Sequence, residues 1–490
     1  MMKYISPELS GISSDDIKHF IDTLEAYQLS THDIIIARGD NIVFEKYWKP
    51  FHKNYLHRMY SVSKSIVALA VGFLIQDGLL SLNDKISKFF ASELEYQPDK
   101  NMHNQTIRDM LMMSTSKPAQ HWFDGRPKDR VRYYFENGSP YSRPPGTIFQ
   151  YDSTGSFVLC ALAERLTNMP FMEYLRIKLF DKIGVSKEAY CLKCPGGHSW
   201  GDSGIICTAR DLLLIARFFM NKGNWNGEQI LNEAYMTEAV SKQIDNSAES
   251  TMPFKTFGYG YYVWRTAFNS YSLYGMGCQF AVLVPDKDII LIYNGDNQGN
   301  PVAEHIVFES FFNNIANNAV NYELLENKEA EKKLSAEYEL MAAKGCLFSD
   351  FQNRINEKEY ILKPNPMGIT HLSLSFFEEY GQLKYKNAQG KKTINFGMGK
   401  NIVGIFPQEG YSNLVGGEKT KGFYYRCAAS AAWTEPKKLF IKVQIIDIYF
   451  GRLNITISFA DENSVGIYMS KTAEDFLNEY EGFAEGTRNQ

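Results

Sequence analysis

The sequence predicts an α+β domain followed by a smaller all-β domain, and three observations predict it. Strand-like apolar runs stand near the start of the chain and again before residue 300, with helical patterns between them. That is the order of a sheet that joins both ends of its domain. Over residues 322–344 the composition turns charged and helix-favouring (Glu326, Lys328, Glu329, Glu331, Lys332, Lys333), as a connecting helix would. Beyond Gly345 short strands alternate with tight turns, the pattern of a sandwich or barrel. The expected divisions are residues 1–318, a connecting helix over 319–345, and a β domain over 346–490.

In chain order, residues 13–27 read as a helix with Ser14 as N-cap ahead of Asp15 and Asp16. Residues 33–38 and 41–46 flank Gly39-Asp40, a β-hairpin signal. From Tyr60 onward Ile66, Leu69, Ala70 and Phe73 recur at helical spacing, and the helix closes at Gly78. Residues 106–113 form a short helix, and 114–149 a loop rich in aromatic and basic residues. A helix continues through 159–166, capped by Ser153 or Thr154, and another covers 211–220. Strands at 280–284 and 289–293 pair across Pro285-Asp286-Lys287-Asp288. In the second domain, strands at 439–450 and 453–459 flank Gly451-Arg452, and 465–469 follows Asp461-Glu462-Asn463-Ser464. No catalytic constellation stands out there, and its expected role is packing or a lid.

Composition narrows the function. The chain has 490 residues, 44% of them hydrophobic, enough for two or three domains with sizeable cores. A formal charge of −4 gives no electrostatic reason for a nucleic-acid or anionic-membrane partner. The first eight residues, Met1-Met2-Lys3-Tyr4-Ile5-Ser6-Pro7-Glu8, lack the apolar core of a secretory signal, and the longest apolar run, 66–75, is too short to span a bilayer. Seven scattered cysteines read as reduced thiols, so the expected location is the cytoplasm. Cys191-Leu192-Lys193-Cys194 has His198 nearby, but a zinc site takes four ligands and no second pair exists. It reads as a loop ahead of Pro195-Gly196-Gly197, and no metal or cofactor is expected.

Chemistry concentrates in three stretches. Ser61 and Lys64 lie three apart at the start of a helix and therefore share a face. A serine hydroxyl becomes a nucleophile when a nearby base takes its proton, and a lysine amine of lowered pKa can do so. This is the S-x-x-K spacing of penicillin-recognising serine enzymes. A second copy, Ser114-Thr115-Ser116-Lys117, runs into Pro118, which pushes Lys117 out of helical conformation; it reads as a turn. In the next stretch, Pro144-Pro145-Gly146 delivers an extended piece ending at Tyr151, with Ser153 two residues on. A phenol beside a serine–lysine pair can relay a proton to a leaving group. Among 30 tyrosines, and read without the first stretch, Tyr151 is a core aromatic and Ser153 a helix cap. Last, Leu273-Tyr274-Gly275-Met276-Gly277-Cys278-Gln279 precedes a strand. Its glycines permit close backbone approach, and a main-chain N–H there can join that of Ser61 around an oxyanion.

Together these segments resemble the class C β-lactamase-like serine hydrolases over residues 6–315. That family includes penicillin-binding proteins, esterases, D-amino-acid peptidases and linear-amide hydrolases. The stretches Asp77-Gly78-Leu79-Leu80-Ser81-Leu82-Asn83-Asp84 and Gly204-Ile205-Ile206-Cys207-Thr208-Ala209-Arg210-Asp211-Leu212 support it. The resemblance implies an antiparallel sheet flanked by helices, Ser61 as nucleophile, Lys64 as its base and Tyr151 as proton shuttle. It further implies the N–H groups of Ser61 and Met276 as oxyanion hole, with Ser153, Gly275 and Gln279 contacting substrate. The C-terminal part resembles lipocalin-like β domains appended to some members. Two departures matter: Ser153 stands where the family often has Asn, and Leu273 where β-lactamases and transpeptidases carry Lys or His. Loss of that carboxylate-binding cation argues against strong β-lactamase or peptidoglycan peptidase activity, and β-lactamase or D-amino-acid peptidase activity stands as an alternative. The expected function is hydrolysis of a small ester or amide through an acyl-enzyme. A catalytically silent binding protein of the same fold is the rival, and the oligomeric state is left open.

Overall fold

The computed structural model describes residues 3–93, 99–117, 129–137, 141–249, 253–474 and 476–489. They form two compact units, residues 1–338 with 413–416, and 339–412 with 417–490. In the first unit a mixed sheet carries strands β1 (Lys3–Tyr4), β2 (Thr31–Arg38), β3 (Asn41–Lys49), β4 (Trp264–Arg265), β5 (Tyr271–Gly275), β6 (Gln279–Val284) and β7 (Ile289–Gly295). Their order is β1-β3-β2-β7-β6-β5-β4, with β1 parallel to β3 and the other neighbours antiparallel. The β2–β7 pairing, Ile35 opposite Ile292, joins the two ends of the domain at the sheet centre.

Alternation along the strands sorts side chains to two faces. Ile34 and Ile36 of β2, Phe280 and Val282 of β6 and Leu291 of β7 face one core with helices α1 (Ser14–Ala26) and α5 (Ala303–Phe311). The opposite face packs helices α2 (Val62–Gln76) and α4 (Ala209–Met220), with α3 (Ser153–Thr167) against α2. Helix α2 is buried nearly all round, as its unbroken apolar sequence requires. Gly78, at φ 72°, ends it.

Several boundaries differ from those the sequence suggests. Ser13, not Ser14, caps α1 through its hydroxyl; the Ser14 N–H instead donates to Glu8 Oε1. Asp152, not Ser153 or Thr154, caps α3, accepting from the N–H groups of Thr154 and Gly155. The connecting segment is helical only over Lys328–Leu334. The aromatic-rich loop contains a helix, Arg130–Asn137, and its residues 118–128 and 138–140 lie outside the described residues. The second serine–lysine spacing is not helical: Ser114 Oγ donates to Asp109 O and Lys117 pairs with Asp99, while Pro118 lies outside the described residues.

The second unit is a closed barrel. Its strands are β8 (Glu359–Leu362), β9 (His371–Phe376), β10 (Tyr380–Asn387), β11 (Gly390–Met398), β12 (Ile402–Tyr411), β13 (Lys419–Glu435), β14 (Lys438–Ile446), β15 (Phe450–Asp461), β16 (Ser464–Ala473) and β17 (Gly482–Arg488). The ring runs β11-β10-β9-β8-β17-β16-β15-β14-β13 and closes by parallel pairing of β13 with β11, while β12 adds to β13 outside the ring. Leu453, Ile455 and Ile457 of β15 alternate inward with Leu439, Ile441 and Val443 of β14. Gly451-Arg452 is not a turn but lies within β15. A Cβ on Gly451 would stand 2.8 Å from the Ala473 Cβ, so glycine lets the strands approach there. Rings of Tyr411, Tyr425, Tyr449 and Phe476 pack together inside the unit; Tyr480 contacts Phe406 and Tyr385, and the Tyr385 and Tyr480 hydroxyls meet at 2.8 Å. Among the described residues no helix is long and apolar enough to cross a membrane.

Candidate active site

The site begins where the chain enters α2. Tyr60 is held at φ 46°, a left-handed conformation that costs a non-glycine residue on the order of 1–3 kcal/mol. Burial offsets it: the Tyr60 ring lies under the fully buried Arg58 guanidinium at 4.4 Å, and Arg58 is fixed by the carbonyl and hydroxyl of Ser203, each at 2.9 Å. The turn leaves Ser61 at the N-cap of α2. Ser13, Thr106, Asp152 and Thr208 cap their helices with side-chain oxygens, but the Ser61 hydroxyl makes no such bond. It faces Lys64 instead.

Lys64 is 1% exposed. Its Nζ donates to Ser61 Oγ and to the Asp202 carbonyl, both at 2.8 Å, and lies 5.2 Å from the centre of the Tyr151 ring. Its two hydrogen-bond partners are thus a hydroxyl and a carbonyl oxygen. The Asp202 carboxyl is also wholly buried, and its Oδ1 has no hydrogen-bond partner among the described residues. Burial raises its pKa to about 6, against the opposing pull of Lys64, Arg130 and Arg58. Trp200 lies over both arginines, 4.5 Å from Arg58 and 5.5 Å from Arg130, and Arg130 donates to Cys194 Sγ. The Trp200 ring also lies against Gly416, where a Cβ would come within 1.9 Å of it.

Tyr151 is half-buried and stacks on Trp264, with centroids 5.7 Å apart and planes 19° apart. Asp152 follows it, buried, its carboxylate also accepting from the Thr154 and Thr115 hydroxyls. The cap thereby fixes the extended segment that presents Tyr151. Ser153 is the first residue of α3 and half-buried.

The third stretch forms the turn between β5 and β6, where Gly275 pairs with Gln279 and Gly277 and Cys278 adopt φ 76° and 73°. Met276 at its tip is 38% exposed. The buried Gln279 amide donates to Met276 O at 3.0 Å and Gly295 O at 2.7 Å, so its side chain holds the turn. On β5, β4 pairs with Tyr271 and Ser272; past them the edge of β5 has no strand partner among the described residues. Leu273 is buried.

Sequence reasoning did not single out Asp202, Asp152, Arg58 or Trp264. Asp152 was findable, since Asp followed by a helical pattern is a cap signal. Asp202 acts first through a backbone carbonyl, which any residue offers, so its side-chain type gave no clue. Cys191 and Cys194 are free thiols, and among the described residues no group of three or more metal-ligating side chains gathers.

Comparison with known proteins identifies the family and the fold. A family model described as Beta-lactamase matches residues 17–306. The 6-aminohexanoate-dimer hydrolase of Paenarthrobacter ureafaciens is 22% identical over 284 residues, 54% of this chain and 71% of that protein. Among solved structures, one named for a 6-aminohexanoate-dimer hydrolase of Bacillus anthracis superposes with a TM-score of 0.52 at 16% identity, covering 64% of this chain and 86% of the other. The octameric penicillin-binding protein homologue of Pyrococcus abyssi gives a TM-score of 0.51 at 15% identity, covering 96% of this chain and 99% of that one, so the likeness of fold extends into the barrel. With the family match spanning more than half of its length, the chain belongs to the beta-lactamase family of hydrolases.

Proposed function

We propose that the protein hydrolyses a small ester or linear amide through an acyl-enzyme on Ser61. The observation behind it is the buried Lys64 Nζ, 2.8 Å from a Ser61 hydroxyl that caps nothing. In its neutral form Lys64 takes the hydroxyl proton as Oγ attacks the substrate carbonyl. The N–H groups of Ser61 and Met276 stabilise the oxygen that becomes negative. Tyr151 passes a proton to the leaving alcohol or amine and regains one from Lys64 as the bond breaks. Water then attacks the Ser61 ester by the same transfers in reverse, releasing the acid. Gly275 permits the close approach of the turn, and Ser153, the first residue of α3, contacts substrate. We assign Gln279 to holding Met276 rather than to touching substrate, because its side chain is buried and bonded within the turn.

The linear-amide or ester class draws support from the relative named as a 6-aminohexanoate-dimer hydrolase. A β-lactamase or D-amino-acid peptidase reading has less support, since the buried Leu273 offers no cation at that position. A fluorophosphonate probe read by intact mass, with turnover of a panel of p-nitrophenyl esters and amino-acid amides, tests the proposal. One adduct on Ser61 and measurable turnover are expected. No adduct and no turnover would favour a silent binding protein.

A further inference from the structure

We infer that Lys255 selects substrates whose acyl chain ends in a carboxylate, a reading that rests on the serine-hydrolase assignment above. Lys255 ends the short turn Pro253–Lys255. Phe254 anchors that turn by stacking on Phe308 at 5.3 Å and Phe312 at 5.8 Å, and Asn246 donates to the Lys255 carbonyl at 2.7 Å. From this base the side chain reaches the catalytic edge of the sheet. Its Nζ lies 3.6 Å from the centre of the Tyr274 ring, 5.4 Å from that of Trp264, and 2.7 Å from Glu304 Oε2.

The placement matters for chemistry. Trp264 is the ring on which Tyr151 stacks, and Tyr274 immediately precedes Gly275 and Met276 on β5. Tyr274 follows Leu273, so by strand alternation its ring points to the opposite face. The positive charge missing at Leu273 is therefore present on the other side of the same strand. Glu304 and the Tyr274 face engage part of the ammonium's surroundings, and 14% of the Lys255 side chain remains exposed, so a flexible chain end can reach it. A cation fixed by a carboxylate and an aromatic face in a largely desolvated spot discriminates an anionic terminus from a neutral one. A purely structural tie between the turn and α5 would not.

The test compares p-nitrophenyl valerate with the mono-p-nitrophenyl ester of glutaric acid, which share a five-carbon acyl chain and differ in the terminal carboxylate. Lys255→Met is expected to lower the glutarate-to-valerate ratio of kcat/KM by about tenfold or more while leaving valerate within about twofold. Lys255→Arg should keep most of the preference. An unchanged ratio in Lys255→Met, or an equal fall for both esters, overturns the inference. Should Lys255→Met not fold, glutarate and glutaramide are compared as inhibitors of valerate hydrolysis by the unaltered protein. Glutarate should inhibit more strongly, and less so at high salt; equal inhibition overturns the inference. Valerate turnover that survives Ser61→Ala would sink the serine-hydrolase assignment. Ser61-dependent turnover with no carboxylate preference sinks only the role of Lys255.

Discussion

A Cβ on Gly275 would stand 2.3 Å from the carbonyl oxygen of Met59. That oxygen is fixed, since it accepts from the Val62 N–H at 3.1 Å while the Met59 N–H donates to Ile205 O at 2.8 Å. The close approach ties the end of β5 to the turn that presents Ser61, and with it the two N–H groups proposed to hold the oxyanion. Gly275→Ala must therefore part the two backbones. Overpacking of this kind costs about 1–3 kcal/mol. Activity should fall further, by about tenfold or more, because a donor displaced by a few tenths of an ångström loses its alignment. Thermal melting and ester turnover measure both. A fully active Gly275→Ala protein would show that the two segments do not act together.

Ser61→Ala should remove covalent labelling and lower kcat by on the order of 10³ or more. Lys64→Ala should lose nearly as much, since its Nζ is the group that meets the Ser61 hydroxyl. The double variant should be little worse than either, because two residues acting in one proton transfer do not contribute additively. Ser114→Ala, in the turn outside the pair, should change neither labelling nor rate. Additive losses in the double variant would separate the two residues and overturn the pairing.

How much of this was legible in the sequence depends on what kind of bond each feature uses. The strands around Gly39-Asp40 and Pro285–Lys287 were readable because apolar alternation and turn residues coincide. The Ser61–Lys64 pair was readable because helical spacing alone puts both on one face. Asp202 was not, because its carbonyl meets Lys64 from 138 residues away and only the fold brings it there. The charged stretch after residue 318 misled for the opposite reason. Helix-favouring charges set a propensity, but only Ala330 and Leu334 of Lys328–Leu334 are buried, so packing sustains about two turns. Gly451 misled because glycine marks close approach between strands as well as turns.

Tyr151→Phe keeps the ring stacked on Trp264 and removes only the hydroxyl. If the phenol relays the proton, kcat should drop about 10²–10⁴-fold with little change in melting temperature. The loss should be smaller for p-nitrophenyl esters, whose leaving group needs no proton, than for amides, whose nitrogen does. Equal losses on both substrate types, or no loss at all, would make Tyr151 a packing residue.

Asp202 gives the protein a pH dependence of defined sign. An aspartate in the unfolded chain titrates near its ordinary 3.8, whereas burial raises Asp202 to about 6 in the fold. Between those values the folded state holds a proton that the unfolded state has released, so this residue makes stability fall as pH rises from about 4 to 6. A gap of about two pH units corresponds to about 3 kcal/mol at pH 7. Asp202→Asn retains the backbone carbonyl that meets Lys64 and cannot ionise. Its stability should match that of the unaltered protein near pH 4 and exceed it at pH 7, with the difference opening across that window. In rate measurements the unaltered protein should show an inflection near pH 6 that the variant lacks, while Ser61 labelling persists in both. Parallel melting curves for the two proteins from pH 4 to 7 would mean that the Asp202 carboxyl titrates as it does in the unfolded chain.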